Sequence, residues 1–213
     1  MLNIWHLIGR EIYVSKFVLH KYSGMAYDSK QIITFPEKPS LTPSDIDEEM
    51  KYHTGVSSIK VPNLTQEEFD YFISNYGDNY ESIYFFYNTK VKDLSALSKL
   101  KKVKYLLFYS MRAAELWDMR ENVNLRAIMI SDSKKMLYNL EKLQYAPNIE
   151  ELLLFSSMFK KYSVKTITPL KNCKKLKRLF MEFNTEDKSF SPEEFDFLDE
   201  FKYQCDRKRN FTC

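Results

Sequence analysis

Glycine is nearly absent from this 213-residue chain. Gly9, Gly24, Gly55 and Gly77 are the four, and none follows Gly77. Phosphate-cradling loops, dinucleotide fingerprints and G-x-S-x-G elbows need backbone that glycine supplies, so all are excluded beyond residue 77; none occurs before it. Cysteine is scarce and odd in number: Cys173, Cys205 and Cys213, widely spaced and without C-x-x-C. That excludes a disulfide framework and a zinc knuckle, and predicts free thiols in a reducing cytosol. The three histidines, His6, His20 and His53, are too far apart to form a metal-binding pair on one helical face. No metal or cofactor is expected. No apolar run reaches the roughly 18 residues a membrane helix needs. The N-terminus lacks the positive region of a signal peptide, so a cytoplasmic address is the expectation.

What is present suits a packed domain. Hydrophobic residues make up 44% and aromatic residues 15% of the chain, and the net charge is only +3. A disordered chain would be poorer in apolar residues and further from neutrality. A strongly basic nucleic-acid binder is disfavoured for the same reason. Lysine greatly outnumbers arginine, and Tyr, Phe, Ile and Asn are abundant, a bias typical of AT-rich bacterial proteomes.

The sequence is organised by a repeat. The pattern apolar-x-x-apolar-x-apolar occurs at Val56/Ile59/Val61, Tyr80/Ile83/Phe85, Val103/Leu106/Phe108, Leu125/Ile128/Ile130, Ile149/Leu152/Leu154 and Leu176/Leu179/Met181. Between these short strands lie helix-like segments. Thr65-Gln66-Glu67-Glu68 forms a capping box ahead of Phe69, Phe72 and Ile73. Ser191-Pro192-Glu193-Glu194 is a near copy ahead of Phe195, Leu198 and Phe201, and predicts a second such helix. Leu94/Leu97/Leu100, Leu116/Met119, Leu140/Leu143 and Leu170/Cys173 keep a spacing of three. A unit this small cannot bury its apolar face alone, but stacked units can, with strands aligned in a parallel sheet and helices outside.

This α/β pattern resembles the leucine-rich repeat family over about residues 55 to 203. The resemblance implies a right-handed solenoid of about six repeats with the parallel sheet on its concave face. The family's asparagine column falls on Leu64, Asn88, Met111, Ser133, Ser157 and Asn184, a departure at four of six positions that predicts an interrupted ladder. Residues 1–54 do not fit the repeat and are expected to form an N-terminal β/α cap. In it, residues 12–22 and 31–35 read as strands, and a helix opens at Thr42-Pro43-Ser44-Asp45 and runs to about Tyr52. Residues 204–213 read as a C-terminal tail.

Side chains alternate across a strand, so the neighbours of the inward columns point to the opposite face. That face carries Tyr84, Phe86, Tyr105, Leu107, Tyr109, Met129, Leu153, Phe155 and Phe180, with Lys60, Glu151, Arg178 and Glu182 expected as a polar rim. Nine large apolar groups exceed the usual patch on a monomer, about 300–600 Å², and Tyr, Phe and Met are enriched at interface cores. A partner-binding face is therefore expected, with another protein as partner. The alternatives are a face covered by the chain's own N- or C-terminal segment, or by a second copy in a homodimer. Lys99, Lys101, Lys102 and Lys104, the cluster from Lys171 to Arg178, and Arg207-Lys208-Arg209 read as solvated edges. Nothing marks a paired acid and base or an activated nucleophile. The expected function is a non-enzymatic protein-binding scaffold or adaptor. The resemblance also permits an immunity or inhibitor protein that masks a toxin or enzyme. A third reading is an enzyme or nucleic-acid binder acting through the non-repeat N-terminus, where all three histidines sit.

Overall fold

The computed structural model describes residues 29–34, 41–156 and 162–204. Seven five-residue strands form one sheet: β1 (Ser58–Pro62), β2 (Ser82–Phe86), β3 (Tyr105–Tyr109), β4 (Ala127–Ser131), β5 (Glu151–Phe155), β7 (Arg178–Glu182) and β9 (Glu200–Gln204). They pair in that order, each parallel to its neighbours. Two-residue strands β6 (Ser163–Val164) and β8 (Asn184–Thr185) pair separately. The register follows the repeat: Ile59, Ile83, Leu106, Ile128, Leu152 and Leu179 lie in one row across the sheet. Every position of the eighteen-residue apolar pattern is buried except Val56, which is half-buried.

A seventh rung was not anticipated. Leu198/Phe201/Tyr203 repeats the pattern once more, and Leu179 pairs with Phe201 and Met181 with Tyr203. The expected helix after Ser191 is a 3₁₀ turn, Pro192–Phe195, without a side-chain cap bond. The strand wins because Phe201 and Tyr203 gain a ladder and an apolar neighbour row that a continued helix would forfeit. The matching motif at Thr65 forms a full capping box at the head of helix α2 (Gln66–Asn75). The other returns are 3₁₀ turns at Ser95–Lys99, Glu141–Tyr145 and Thr168–Asn172, together with the short helix α3 (Lys134–Tyr138). A spacing of three matches a 3₁₀ turn better than an α-helix. At Gly77 close packing dictates the residue, since a Cβ there would lie 2.5 Å from Leu100 Cδ2.

Before β1, helix α1 (Pro43–Met50) is capped by Thr42 and Asp45, as its sequence predicts, and a 3₁₀ turn, Lys51–His53, continues it. Ile46 and Met50 join the main core. Leu41 N–H donates to Glu68 Oε1 at 2.7 Å, and both Tyr71 and Tyr76 donate their hydroxyls to Asp47 Oδ1. Of the segment read as the strand 31–35, only Ile32 forms a bridge, to Lys60, after a 3₁₀ turn at Ser29–Gln31; residue 35 and the segment 12–22 lie outside the described residues.

The apolar row between sheet and helices is the main core. Replacing Leu106 or Leu152 by alanine is expected to cost about 2–5 kcal/mol in a denaturant titration. A loss below about 1 kcal/mol would contradict their burial.

Candidate functional site

The sheet face opposite the helices gathers all nine aromatic and apolar side chains that the sequence assigned to it. Strand alternation does this directly, because β2 to β7 share one register. Their expected exposure is corrected by the structure. Tyr84, Leu107, Met129, Leu153, Phe155 and Phe180 are between 0 and 4% exposed, and with Ala127 they form a second apolar core. Phe86, Tyr105 and Tyr109 are half-buried against it. The expected polar rim is also partly interior. Glu151 and Glu182 are buried, and Glu151 pairs with Arg178 Nη1 at 2.6 Å. A face open to water on one side would leave these groups hydrated; accessibility across the whole chain shows that they are not.

The part of this face that reaches solvent is the C-terminal end of β1 to β3. There Phe86 stacks on Tyr109 with ring centroids 5.1 Å apart and an interplanar angle of 16°. Tyr87 meets both rings edge-on, at 4.5 Å from Phe86 and 5.0 Å from Tyr109. Lys60 Nζ lies 3.9 Å from the Phe86 ring centroid and 5.6 Å from that of Tyr84. Burial lowers the Lys60 pKa, because the charged ammonium loses hydration. Burial also raises the Tyr109 hydroxyl, and a hydrogen bond with Tyr87 raises it further. Tyr87 is 45% exposed.

Sequence reasoning missed Tyr87, because it lies just past the strand. Its backbone is left-handed, with φ 57°, and Asn63, Ser110 and Asp132 adopt the same conformation at the same place in their repeats. At three of them the N–H extends the ladder: Tyr87 donates to Tyr109 O at 2.9 Å, Ser110 to Ser131 O, and Asp132 to Phe155 O. Asn and Asp tolerate this region, whereas a residue such as Tyr pays about 1–2 kcal/mol for it. The Tyr87 ring is thereby turned out beside Phe86 and Tyr109.

The basic clusters are largely neutralised. Lys104 pairs with Glu81, Lys101 with Glu121, Lys177 with Glu150, and Lys171 with Glu194. That supports their reading as solvated edges; residues 207–209 lie outside the described residues. Near the N-terminal edge, a depression of about 570 Å³ is lined by Asp47, His53, Tyr76 and Tyr80 among others. Asp47 is held below the usual carboxylate range by the hydroxyls of Tyr76 and Tyr71, so it stays ionised and carries no proton to donate. His53 is buried, with Nδ1 2.6 Å from Lys30 O and Nε2 2.9 Å from Glu49 Oε1. Both ring nitrogens are committed to the fold. His6 and His20 lie outside the described residues. Among the described residues no group of His, Cys, Asp and Glu could hold a metal, and no helix is long and apolar enough to cross a membrane.

Cys173 is buried as a free thiol, with Sγ 3.4 Å from Leu143 O, and burial pushes its pKa up to about 12. At pH 8 only roughly one thiol in 10⁴ is then ionised. Native protein treated with iodoacetamide at pH 8 is expected to leave the Cys173 peptide unmodified, and urea should restore its labelling. Rapid native labelling would contradict the burial of this return. Cys205 and Cys213 lie outside the described residues.

No protein-family model matches this chain, and no curated protein matches it. Among solved structures, it is similar to internalin C2 from Listeria monocytogenes str. 4b F2365, with a TM-score of 0.53 and 16% sequence identity. The match covers 78% of this chain and 65% of that one, so this chain spans less than two-thirds of the internalin. At that identity the likeness is one of fold. Internalin C2 is a leucine-rich repeat protein, so the likeness supports a leucine-rich-repeat-like α/β fold, which accords with the parallel sheet read from the repeat.

Proposed function

We propose that this chain is a non-enzymatic protein-binding scaffold: a right-handed leucine-rich repeat solenoid, capped by residues 1–54, that acts in a reducing cytosol and meets its partner through an aromatic rim. A fold of this kind suits protein binding in general. The observation that carries the reading is the half-exposed cluster Lys60, Phe86, Tyr87 and Tyr109 toward the C-terminal ends of β1 to β3. Rings held rigidly by neighbours lose little entropy on binding, and aromatic side chains dominate interface hot spots. Of the nine residues expected to meet a partner, Phe86, Tyr105 and Tyr109 are accessible as the chain stands. Tyr84, Leu107, Met129, Leu153, Phe155 and Phe180 would join them only if the face were uncovered.

The test is capture of the native partner from lysate, its identification by mass spectrometry, and titration against variants. Tyr87→Ala and Tyr109→Ala are each expected to weaken binding by about 2 kcal/mol, roughly 30-fold, while the melting temperature moves by only a few degrees. Unchanged affinity in both variants would overturn the rim as the contact surface.

A further inference from the structure

We propose that the depression at the N-terminal ends of β1 and β2 is a binding site for an organic cation, a guanidinium or ammonium group on an aliphatic stem. Its volume of about 570 Å³ falls among those of small-molecule sites, about 300–1,000 Å³. Helix α1 supplies Asp47 and Met50 to its wall. Tyr76, Asn79 and Tyr80 come from the 3₁₀ turn Gly77–Asn79 and the residues that flank it, and the link to β1 supplies Val56.

Three oxygens around this depression are left able to accept a hydrogen bond. Asp47 Oδ1 takes the hydroxyl protons of Tyr71 and Tyr76, whereas Oδ2 has no hydrogen-bond partner among the described residues. Tyr80 is only 3% exposed, yet its hydroxyl reaches nothing nearer than His53 O at 3.5 Å. An ordinary O–H···O bond is about 2.7–2.8 Å, so this buried hydroxyl is poorly satisfied and its lone pairs are unused. The side-chain oxygen of Asn79 also lacks a hydrogen bond among the described residues.

The charge of the wall is negative. Asp47 is ionised, as its tyrosine partners dictate. Lys51 stands beside it, but the Lys51 ammonium is bonded to Glu48, which cancels its charge. An anion would meet Asp47 uncompensated, and a neutral ligand would strip its water without returning a charge. A bare divalent metal needs several oxygen ligands, and Asp47 is the single carboxylate of this lining. A guanidinium or ammonium group, all donors and no acceptors, matches both the oxygens and the charge. Met50, Val56 and the rings of Tyr76 and Tyr80 suit the aliphatic stem, and tyrosine faces attract a cation.

The site goes beyond the binding role proposed above and stands without it. Val56 and Tyr80 precede β1 and β2, whereas the aromatic rim follows them. A five-residue strand separates the two by about 16 Å.

The experiment titrates the isotope-labelled full chain and follows its backbone amides by NMR. The probes are n-butylguanidinium and n-butylurea, an uncharged molecule of nearly the same shape. Gly55 and Asn79 amides are expected to shift saturably with the cation, and the urea should bind at least about tenfold more weakly, since it brings no charge to Asp47. Asp47→Asn should weaken the cation by about tenfold and leave the urea unchanged. Asn79→Asp adds a carboxylate on an exposed turn and should tighten the cation several-fold, which decides the matter if Asp47→Asn fails to fold. A third probe, acetylated and amidated Gly-Arg-Gly, separates the sources. Saturation by the tripeptide identifies an arginine on a polypeptide, and saturation by butylguanidinium without it a free small molecule; either upholds the site. Equal affinity for butylguanidinium and butylurea, or no saturable shift at Gly55 and Asn79 with either guanidinium, would overturn it. Binding through the aromatic rim is read at other amides, so the two proposals fail separately.

Discussion

Replacing Phe180 by alanine is expected to cost about 3–5 kcal/mol of folding stability, the range for truncating a buried phenylalanine. Phe180 sits at the β7 end of the second apolar face, fully buried, with its ring edge-on to Phe155 at 6.1 Å. Removing it opens a cavity bounded by Leu153, its register partner on β5, and by the ring of Phe155. A phenylalanine on an open sheet face would already be in water, and its loss would cost under about 1 kcal/mol. Phe197, which is 56% exposed, supplies that comparison within the same chain. Urea titrations of Phe180→Ala and Phe197→Ala should therefore differ by several kcal/mol. Equal, small losses would mean that the face is solvated and that the aromatic residues there serve something other than folding.

The second large effect is expected at Asn88, one of the two asparagines in the family column. Its side chain is fully buried between two repeats. Oδ1 accepts from Leu64 N–H at 2.6 Å, and Nδ2 donates to Val61 O at 2.6 Å and to Phe86 O at 3.3 Å. Asn88→Leu is nearly isosteric but leaves a buried N–H and a buried C=O without partners. Each such group costs about 1–3 kcal/mol, so the variant should lose about 2–6 kcal/mol. Hydrogen exchange localises the effect: the Leu64 amide should exchange much faster than in the parent protein. Ser133→Ala should be milder, since it removes one acceptor, from Met111 N–H at 3.0 Å. Unchanged protection at Leu64 would contradict the bridging role of Asn88.

The sheet was legible because it is periodic. Each strand places alternate residues on opposite faces, so a fixed apolar spacing reports both register and burial, as it does for Ile59 through Leu179. The ladder was legible in part. Asn88 and Ser133 lie in the column and do bridge; Ser156, one position before the column, also bridges, donating Oγ–H to Glu182 O at 2.8 Å, and Ser157 lies outside the described residues. Asn122 lies outside the column altogether. It donates to Leu97 O and Leu100 O and accepts from Trp117 Nε1. A buried asparagine that braces a single return carries no repeat spacing to reveal it. The seventh rung was hidden for a different reason. Ser191 to Phe195 copies the helix start at Thr65, and only the pairing of Phe201 with Leu179 decides between helix and strand. Tyr87 gave no signal, because the turn that presents it is a backbone property of the position after the strand.

Burial of the second face was illegible on principle. The alternation of Tyr84, Phe86, Leu107 and Met129 shows that one surface is apolar and says nothing of what lies against it. What lies against that surface is a tertiary matter, and strand periodicity does not encode it.

Hydroxyl-radical footprinting of the intact chain tests most directly whether this face is a second interior. Met129, Phe155 and Phe180 should be protected to the same degree as Met181 and Phe108 of the main core, while Tyr52 and Phe197 are oxidised. Oxidation of Met129 and Phe180 at rates close to that of Phe197 would show a face open to solvent and would contradict a sheet packed on both sides.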